Sequence, residues 1–279
     1  MRFWTVRASS RRSIRRDRLG QALPSCWRCC WPCRWARRRI SGGGCVTRAA
    51  CRRRPPMVDA CLGLPGSPWC ERALIFNTQP TRYLHGSWCE RLPHRELARR
   101  LMACARAEAA LSGYLLQSFE LEGRYVEDFS NPWARLALLE GPWIERLLRR
   151  LGLALQASRL RLELSGERLR HLKSALSAED WNFVMRETPL LGPIPVFDAE
   201  PRVPNADPAT RFALIGAHFC VLQGLGAMDA ALIRRLALKL PADWAPTLSA
   251  AWVQGSSALP PILRRLLREL PPAWTPLFA

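Results

Sequence analysis

One apolar run constrains the fold of this chain strongly: the 17 residues between Arg211 and Asp229 include no Lys, Arg, Asp or Glu. A helix that spans a bilayer needs about 20 predominantly apolar residues, and this run contains a histidine, a glutamine and three glycines. Its apolar stripe and the residues that back the stripe are Phe212, Ile215, Phe219 and Leu222, with Leu214, Val221 and Leu225. A helix that is apolar on nearly all sides is one that other elements surround. We therefore expect the central helix of a soluble bundle rather than a transmembrane span.

Around this run, apolar residues recur at three- and four-residue spacing between prolines and capping residues, which predicts further helices. The first predicted helix covers residues 94–110, with a break at Ser112-Gly113, and the last covers residues 260–270. Between them, one helix is predicted to start at Pro132 and another at Pro142, the latter with an end or a kink at Gly152. Further helices are predicted to start at Ser165, Ser177, Asp207 and Asp229. Alternating β-branched runs are almost absent. The predicted fold class is all-α, and connections with paired prolines indicate an irregular, roughly orthogonal helical array.

The first 56 residues differ in composition from the rest, since they contain 16 arginines, no lysine and one acidic residue, Asp17. The whole chain has 42 basic and 23 acidic residues, so 26 basic and 22 acidic residues remain for positions 57–279. The net charge of +19 is thus +15 before residue 57 and +4 after it. Six of the 11 cysteines also precede residue 57, and the other five are scattered. This distribution fits a reducing cytosol better than a disulfide framework.

Three interpretations of residues 1–56 are open. An arginine-rich arm could bind nucleic acid or anionic lipid, because arginines release counterions from phosphates. Cys26-x-x-Cys29 and Cys30-x-x-Cys33 have the spacing of metal ligands, although the segment contains no histidine. The interpretation we favour is that the segment is not native coding sequence and that translation begins at or near Met57. Residues 57–279 are then predicted to form one α-helical domain, with the Gly/Pro-rich residues 57–72 as a flexible lead-in.

Signals for catalysis are weak in this sequence. His85 and Ser87 are close, but no nucleophile-elbow pattern surrounds them and no acidic residue lies at a telling spacing. His218 lies in the apolar run and is predicted to be a core histidine with a hydrogen-bonded ring. The glycines at 42–44 and 224–226 lack the P-loop lysine and a preceding strand. We therefore predict a binding protein without catalytic residues, cofactor or metal site.

A stretch rich in aromatic residues lies just before the first long helical pattern and runs from Phe76 to Trp88. Pro80 lacks an N–H and biases the preceding residue toward extended geometry, so a helix cannot continue through it. Tyr83, Leu84 and Trp88 can then fold back onto the helices that follow. The predicted anchor or partner-binding residues are Phe76, Asn77, Pro80, Tyr83, Leu84, His85 and Trp88.

The pattern Phe-Asn-x-x-Pro-x-x-Tyr-Leu-His-x-x-Trp in this stretch resembles the start of the SctK/YscK family, a sorting-platform accessory protein of bacterial type III secretion systems. The sequences LLRRLGLALQ at 147–156, ETPLLGPIP at 187–195 and RRLALKLP at 234–241 agree with the same family in order and spacing. The resemblance covers the chain from about residue 72 onward.

The resemblance implies a cytoplasmic, non-enzymatic adaptor that lies peripheral to the inner membrane through the secretion machine and is needed for protein secretion and virulence. Its implied partners are the pod (C-ring-like) protein and the cytoplasmic domain of the inner-membrane ring protein, with the stator and the ATPase reached indirectly. Neither nucleic acid nor membrane insertion is implied. The composition leaves a second function open, a nucleic-acid-binding regulator that uses the arginine-rich N-terminal arm.

Two roles are open for the aromatic stretch. Burial of an aromatic side chain contributes on the order of 2–3 kcal/mol, which favours Tyr83, Leu84 and Trp88 as structural anchors, with the polar tip of the stretch nearer a partner. Aromatic residues also dominate interface hot spots, so the same side chains could serve recognition instead.

Overall fold

The computed structural model describes residues 68–197, 206–248 and 256–278. In these ranges the fold is all-α, as predicted, and contains no β-strand. The helices are α1 (Pro68–Thr78), α2 (Arg95–Met102), α3 (Glu108–Ser118), α4 (Pro132–Leu136), α5 (Gly141–Arg161), α6 (Gly166–Ala175), α7 (Ala178–Asn182), α8 (Pro208–Gln223), α9 (Ala230–Leu238), α10 (Ala245–Leu248) and α11 (Pro261–Leu267). The turn Phe183–Glu187 that follows α7 is π-helical, and short 3₁₀ turns link several of the helices.

Helices α5 and α8 lie at the centre of the fold, and their backbones touch. Gly152 of α5 faces the carbonyl of Phe212, and Gly216 of α8 faces the carbonyl of Leu148, so closely that a Cβ on either glycine would overlap the opposite backbone. Most residues of α8 are buried, which confirms that other elements surround it. The helix end predicted at Gly152 is wrong, since α5 continues to Arg161, and the alternative of a kink there stays a prediction. A glycine costs about 1 kcal/mol relative to alanine inside a helix, and here it permits the close crossing.

The helix starts predicted from capping residues are confirmed. The side-chain oxygens of five residues accept a hydrogen bond from a backbone N–H of the first turn: Asn131, Ser165, Ser177, Asp207 and Asp229. Each satisfies one of the N–H groups that have no partner within the helix. At Asp207, hydrogen bonds from the side chain and backbone of Thr210 lower the pKa of the carboxyl group. The cap is therefore ionised near neutral pH and interacts favourably with the positive end of the α8 dipole.

The single helix predicted over residues 94–110 is wrong. Helix α2 ends at Met102, a 3₁₀ turn occupies Ala105–Ala107, and α3 follows. The break predicted at Ser112-Gly113 is also wrong, because both residues lie inside α3. The buried hydroxyl of Ser112 hydrogen-bonds to that of Thr81 at 2.8 Å. That tertiary partner satisfies a side chain that would otherwise compete with the helix for backbone groups.

The burial of several side chains is the reverse of what the periodicity of the sequence predicts. The spacing of apolar residues in the sequence predicts that Leu97 and Met185 lie on buried helix faces, but they are 54% and 37% exposed. Arg150, which the pattern of α5 places in water, is buried and forms ion pairs with Glu179 at 2.6 Å and with Glu269. These carboxylates come from α7 and from the residues after α11, and local periodicity cannot register such distant partners.

The flexible lead-in predicted over residues 57–72 is wrong from Pro68 onward, because α1 begins there. Ala73 and Phe76 hold α1 in place by their burial. The domain boundary at residue 56, the start at Met57 and the arginine-rich segment lie outside the described residues and stay predictions.

Two further predictions concern membrane insertion and cysteine chemistry. None of the helices in the described ranges has the length and apolar character that a membrane span requires. Cys70, Cys89, Cys104 and Cys220 are free thiols, and burial raises the pKa of Cys220 to about 12.

Candidate functional site

The aromatic stretch leaves the end of α1 and passes over the C-terminal end of α9. Helix α1 ends at Thr78, and Pro80 then starts a 3₁₀ turn, Pro80–Arg82, as its missing N–H favours. Five of the seven predicted site residues are buried, namely Phe76, Asn77, Pro80, Leu84 and Trp88, while Tyr83 and His85 are half-buried. The stretch therefore belongs mainly to the core, and only a small part of it faces solvent.

Asn77 ties the stretch to the loop that follows α3. Its side chain is completely buried. The amide nitrogen donates to the carbonyls of Ala73 and Val126, each at 2.9 Å, and the amide oxygen accepts from the N–H of Val126 at 2.8 Å. Both backbone groups of Val126 would otherwise be unpaired in the core, which is costly. Asn77 thus lies away from any surface that a partner could reach.

Trp88 and His85 cap the C-terminal end of α9. The indole N–H of Trp88 donates to the carbonyls of Ala237 at 3.1 Å and Leu240 at 3.0 Å. The backbone N–H of His85 donates to the carbonyl of Leu238 at 2.8 Å. The last carbonyls of a helix have no partner within it, so the aromatic stretch supplies the donors that the end of α9 needs.

Lys239 is buried between the stretch and the residues that follow α4. Its ammonium group donates to the carbonyls of Ala137 at 2.6 Å and Leu139 at 2.7 Å. It also lies 5.0 Å from the ring centroid of Phe76 and 5.1 Å from that of Tyr83, within the range of cation–π attraction. Desolvation by burial lowers the pKa of Lys239 to about 7. The side chain is therefore only partly charged near neutral pH.

Arg235 on α9 is a second buried cation, four residues before the C-cap residue Lys239, and it is covered completely. Its guanidinium donates to the carbonyls of Asn77 at 3.4 Å and Leu121 at 3.2 Å. Desolvation by burial lowers its pKa. Sequence reasoning missed the roles of Arg235 and Lys239. A signal was available, because the two cations are four residues apart and lie on a face of α9 that also carries Leu232 and Leu236.

The stretch and the segment 234–241, two of the sequence patterns that carry the family resemblance, are thus in direct contact. Trp88 and the backbone N–H of His85 donate to carbonyls at the end of α9, and Arg235 of α9 donates to the carbonyl of Asn77. The hydroxyl of Tyr83 donates to the carbonyl of Phe76 at 2.8 Å and closes the stretch on itself. Burial raises the pKa of Tyr83.

His85 and Ser87 are hydrogen-bonded, with Nδ1 of His85 at 2.8 Å from Oγ of Ser87. The same nitrogen accepts from the N–H of Ser87 at 3.3 Å, and Oγ of Ser87 accepts from the N–H of Ala242 at 2.9 Å. His85 is thereby the N-cap of the 3₁₀ turn Gly86–Arg91. The bonds tie this turn to the one after α9, which gives both side chains a structural role. His218 is half-buried with its ring 5.9 Å from that of Phe197, and burial lowers its pKa.

An open cleft of about 660 Å³ adjoins the stretch and brings its accessible part together with α1 and the start of α5. Charged groups of both signs line it, and they are Glu71, Arg72, Arg82, Glu140 and Lys239. The guanidinium of Arg72 lies 3.6 Å from the ring centroid of Trp274. Within the described ranges, no group of His, Cys, Asp and Glu side chains is arranged to hold a metal ion. Phe76, Tyr83 and Trp274 also line this cleft, and aromatic side chains are enriched in protein–protein interfaces.

A protein-family model matches most of the chain. Its description is YOP proteins translocation protein K (YscK), and the match covers residues 73–270. This range includes the whole aromatic stretch and helices α2 to α11. No curated protein and no solved structure matches the chain.

Proposed function

The chain belongs to the YscK family of type III secretion proteins, and we propose that it is a non-enzymatic adaptor of the sorting platform. In this role it links the pod (C-ring-like) protein to the cytoplasmic domain of the inner-membrane ring protein. The stator and the ATPase are reached indirectly, through the pod protein. Protein secretion, and with it virulence, would depend on this link.

The way in which the site uses its polar groups is the observation that supports a binding role. The side chains of Asn77, Trp88, Arg235 and Lys239 donate to backbone carbonyls and join separate segments of the fold. The hydroxyl of Ser87, which lies close to His85 in the stretch, accepts a hydrogen bond from a backbone N–H. Groups engaged in this way stabilise a helical body with defined surfaces, which is what an adaptor requires.

Reconstitution from purified proteins tests the adaptor role. The full chain is mixed with the pod protein, with the cytoplasmic domain of the ring protein, and with both, and the complexes are separated by size-exclusion chromatography. We expect each pair to form and all three proteins to elute together, because an adaptor holds both partners at once. Binding to neither partner, or binding that is mutually exclusive, contradicts the proposal. Deletion of the gene should stop secretion of type III substrates, and complementation should restore it.

We also propose that the protein is cytoplasmic and reaches the inner membrane only through its partners. Cell fractionation in a strain without the ring protein tests this: the chain should remain in the soluble fraction. Membrane retention that resists alkali in that strain contradicts it.

A further inference from the structure

A second surface of the fold lies across the start of α11. Two open cavities, of about 490 and about 600 Å³, adjoin there and share Ala258, Leu259 and Arg264 in their walls. They are therefore two halves of one groove, which we call the α11 groove. Each half has a volume in the range of ligand-binding pockets in proteins.

The floor of the α11 groove is apolar. Leu267 and Phe278 line one half, Ile194 and Ile262 line the other, and Leu259 lies in both. The walls contain five prolines, which are Pro132, Pro193, Pro195, Pro260 and Pro261. Proline fixes one backbone dihedral, so little ordering is needed when a ligand enters, and a pre-formed groove binds at lower entropic cost.

All charged side chains that line the α11 groove in the described residues are positive. Its ionisable side chains in the described residues are Arg135, Arg264 and Arg268, and no Asp or Glu lines either half. Arg264 and Arg268 are exposed, lie one turn apart on α11 or at its end, and form no ion pair within the described ranges. Like charges four residues apart on a helix repel each other. Glu269 does not relieve them, because it pairs with Arg150.

We propose that the α11 groove binds an extended, acidic segment of another protein of the sorting platform. Apolar side chains of that segment enter the groove, and its carboxylates pair with Arg264 and Arg268, since guanidinium groups bind carboxylates in a bidentate geometry. This inference rests on the proposed function and adds to it the surface and the chemistry of the partner. Nucleic acid fits less well, because single-stranded binders alternate cations with accessible aromatic stacking surfaces along a groove. The aromatic residues that line this groove are Phe219 and Phe278, and Phe219 is buried.

Site-specific photocrosslinking in secreting cells tests the proposal with the full chain. Benzoylphenylalanine replaces Ala258, which is exposed and lies where the two halves meet. The control carries it in place of Ala109, an exposed position on α3. After irradiation, mass spectrometry identifies the cross-linked peptide. We expect position 258 to give an adduct with a platform segment that combines Asp or Glu with apolar residues, and position 109 not to give it.

A charge reversal then tests the role of the arginines. R264E/R268E should lower the yield of the adduct at position 258 at least about tenfold, because the new glutamates would repel the carboxylates of the bound segment. R100E/R106E is the matched control, since Arg100 and Arg106 are also exposed and also have no ion pair within the described residues. It makes the same change in net charge and should leave the yield unchanged. R264Q/R268Q removes the two positive charges and introduces no negative charge. Its adduct yield should lie between those of the wild type and R264E/R268E, and it replaces R264E/R268E in the test if the charge reversal impairs folding.

The outcomes separate this inference from the proposed function. An adduct with an acidic, apolar segment of a protein outside the sorting platform overturns the platform occupant proposed for the groove, whereas the adaptor role is tested separately by the reconstitution. An adduct with nucleic acid or with a second copy of this chain overturns the inference, as does the lack of any adduct at position 258. A platform adduct that R264E/R268E leaves at full yield overturns the pairing with the two arginines.

Discussion

Replacement of Trp88 by alanine removes the side chain that joins the aromatic stretch to α9. The indole ring is 9% exposed and packs edge-on against Phe119, with 5.4 Å between ring centroids. Its N–H is the side-chain donor to the carbonyls of Ala237 and Leu240. The substitution therefore deletes a buried ring and leaves two carbonyls at a helix end without this partner.

The expected cost of Trp88→Ala follows from these contacts. Truncation of a buried tryptophan costs about 3–5 kcal/mol through lost burial and the cavity left behind. A change of 1 kcal/mol shifts the melting temperature by about 2–4 °C in a domain of this size, so the fall should be about 6–20 °C. Trp88→Phe keeps most of the ring and removes only the N–H donor. It should cost about 1–3 kcal/mol, the penalty of buried acceptors without a partner.

Thermal unfolding by circular dichroism measures the stability, and co-purification with the pod protein well below the melting temperature measures binding. A structural anchor predicts the order wild type, Trp88→Phe, Trp88→Ala in melting temperature, with binding retained while the chain is folded. Trp143→Ala is the matched control, because Trp143 is only half-buried at the start of α5. It should lower the melting temperature less than Trp88→Ala does.

Two results would refute this reasoning. Unchanged melting with pod-protein binding abolished would show that Trp88 acts in an interface rather than in the core. Unchanged melting together with unchanged binding would show that the capping bonds to α9 contribute little and that the stretch does not organise this region.

Three further substitutions test other parts of the structure, with urea denaturation as the measurement. Burial lowers the pKa of Lys239 from 10.5 to about 7, so between these pH values the unfolded chain binds more protons than the folded chain. The free energy of unfolding should therefore rise with pH, by up to about 1.4 kcal/mol per pH unit. Lys239→Met should remove this dependence on pH. Gly152→Ala should lower the free energy of unfolding by about 3 kcal/mol or more, because its methyl group would overlap the backbone of α8. Asn77→Ala should lower it by about 2–3 kcal/mol, because Val126 loses the buried partners of its N–H and C=O.

Each of these tests has its own control. The pH series runs from about pH 7 to about 8.5, because the raised pKa values of Tyr83 and Cys220 oppose the effect at higher pH, where unfolding would release their protons. A slope that persists in Lys239→Met assigns the effect to another group. The control for Gly152→Ala is Gly113→Ala, which has open space around the new methyl group and should raise the free energy of unfolding by about 0.5–1 kcal/mol. Equal effects of the two substitutions would contradict the close helix crossing. Unchanged stability of Asn77→Ala would show that water replaces its bonds.

The helix starts and the central position of α8 could be predicted from the sequence, because the forces behind them act locally. A cap such as Asn131 or Asp207 bonds to an N–H two or three residues further on, so the residues within one turn decide the outcome. Pro80 ends α1 by the same local rule, since it has no N–H to donate. The run around Phe219 has no charged side chain that would favour a position at the surface. This property can be read from the sequence alone, because it does not depend on the neighbours of the run in the fold.

Only the tertiary structure decided which acceptors the buried polar residues meet and which glycines permit a close helix crossing. Gly152 could equally end a helix or permit a close crossing, and the approach of α8 settles which. Trp88 and Ala237 are 149 residues apart, and Lys239 meets Ala137 across 102 residues. A buried cation or amide is stable only if the rest of the chain brings acceptors to it, and the positions of those acceptors are set by packing, which no spacing of residues in the sequence encodes.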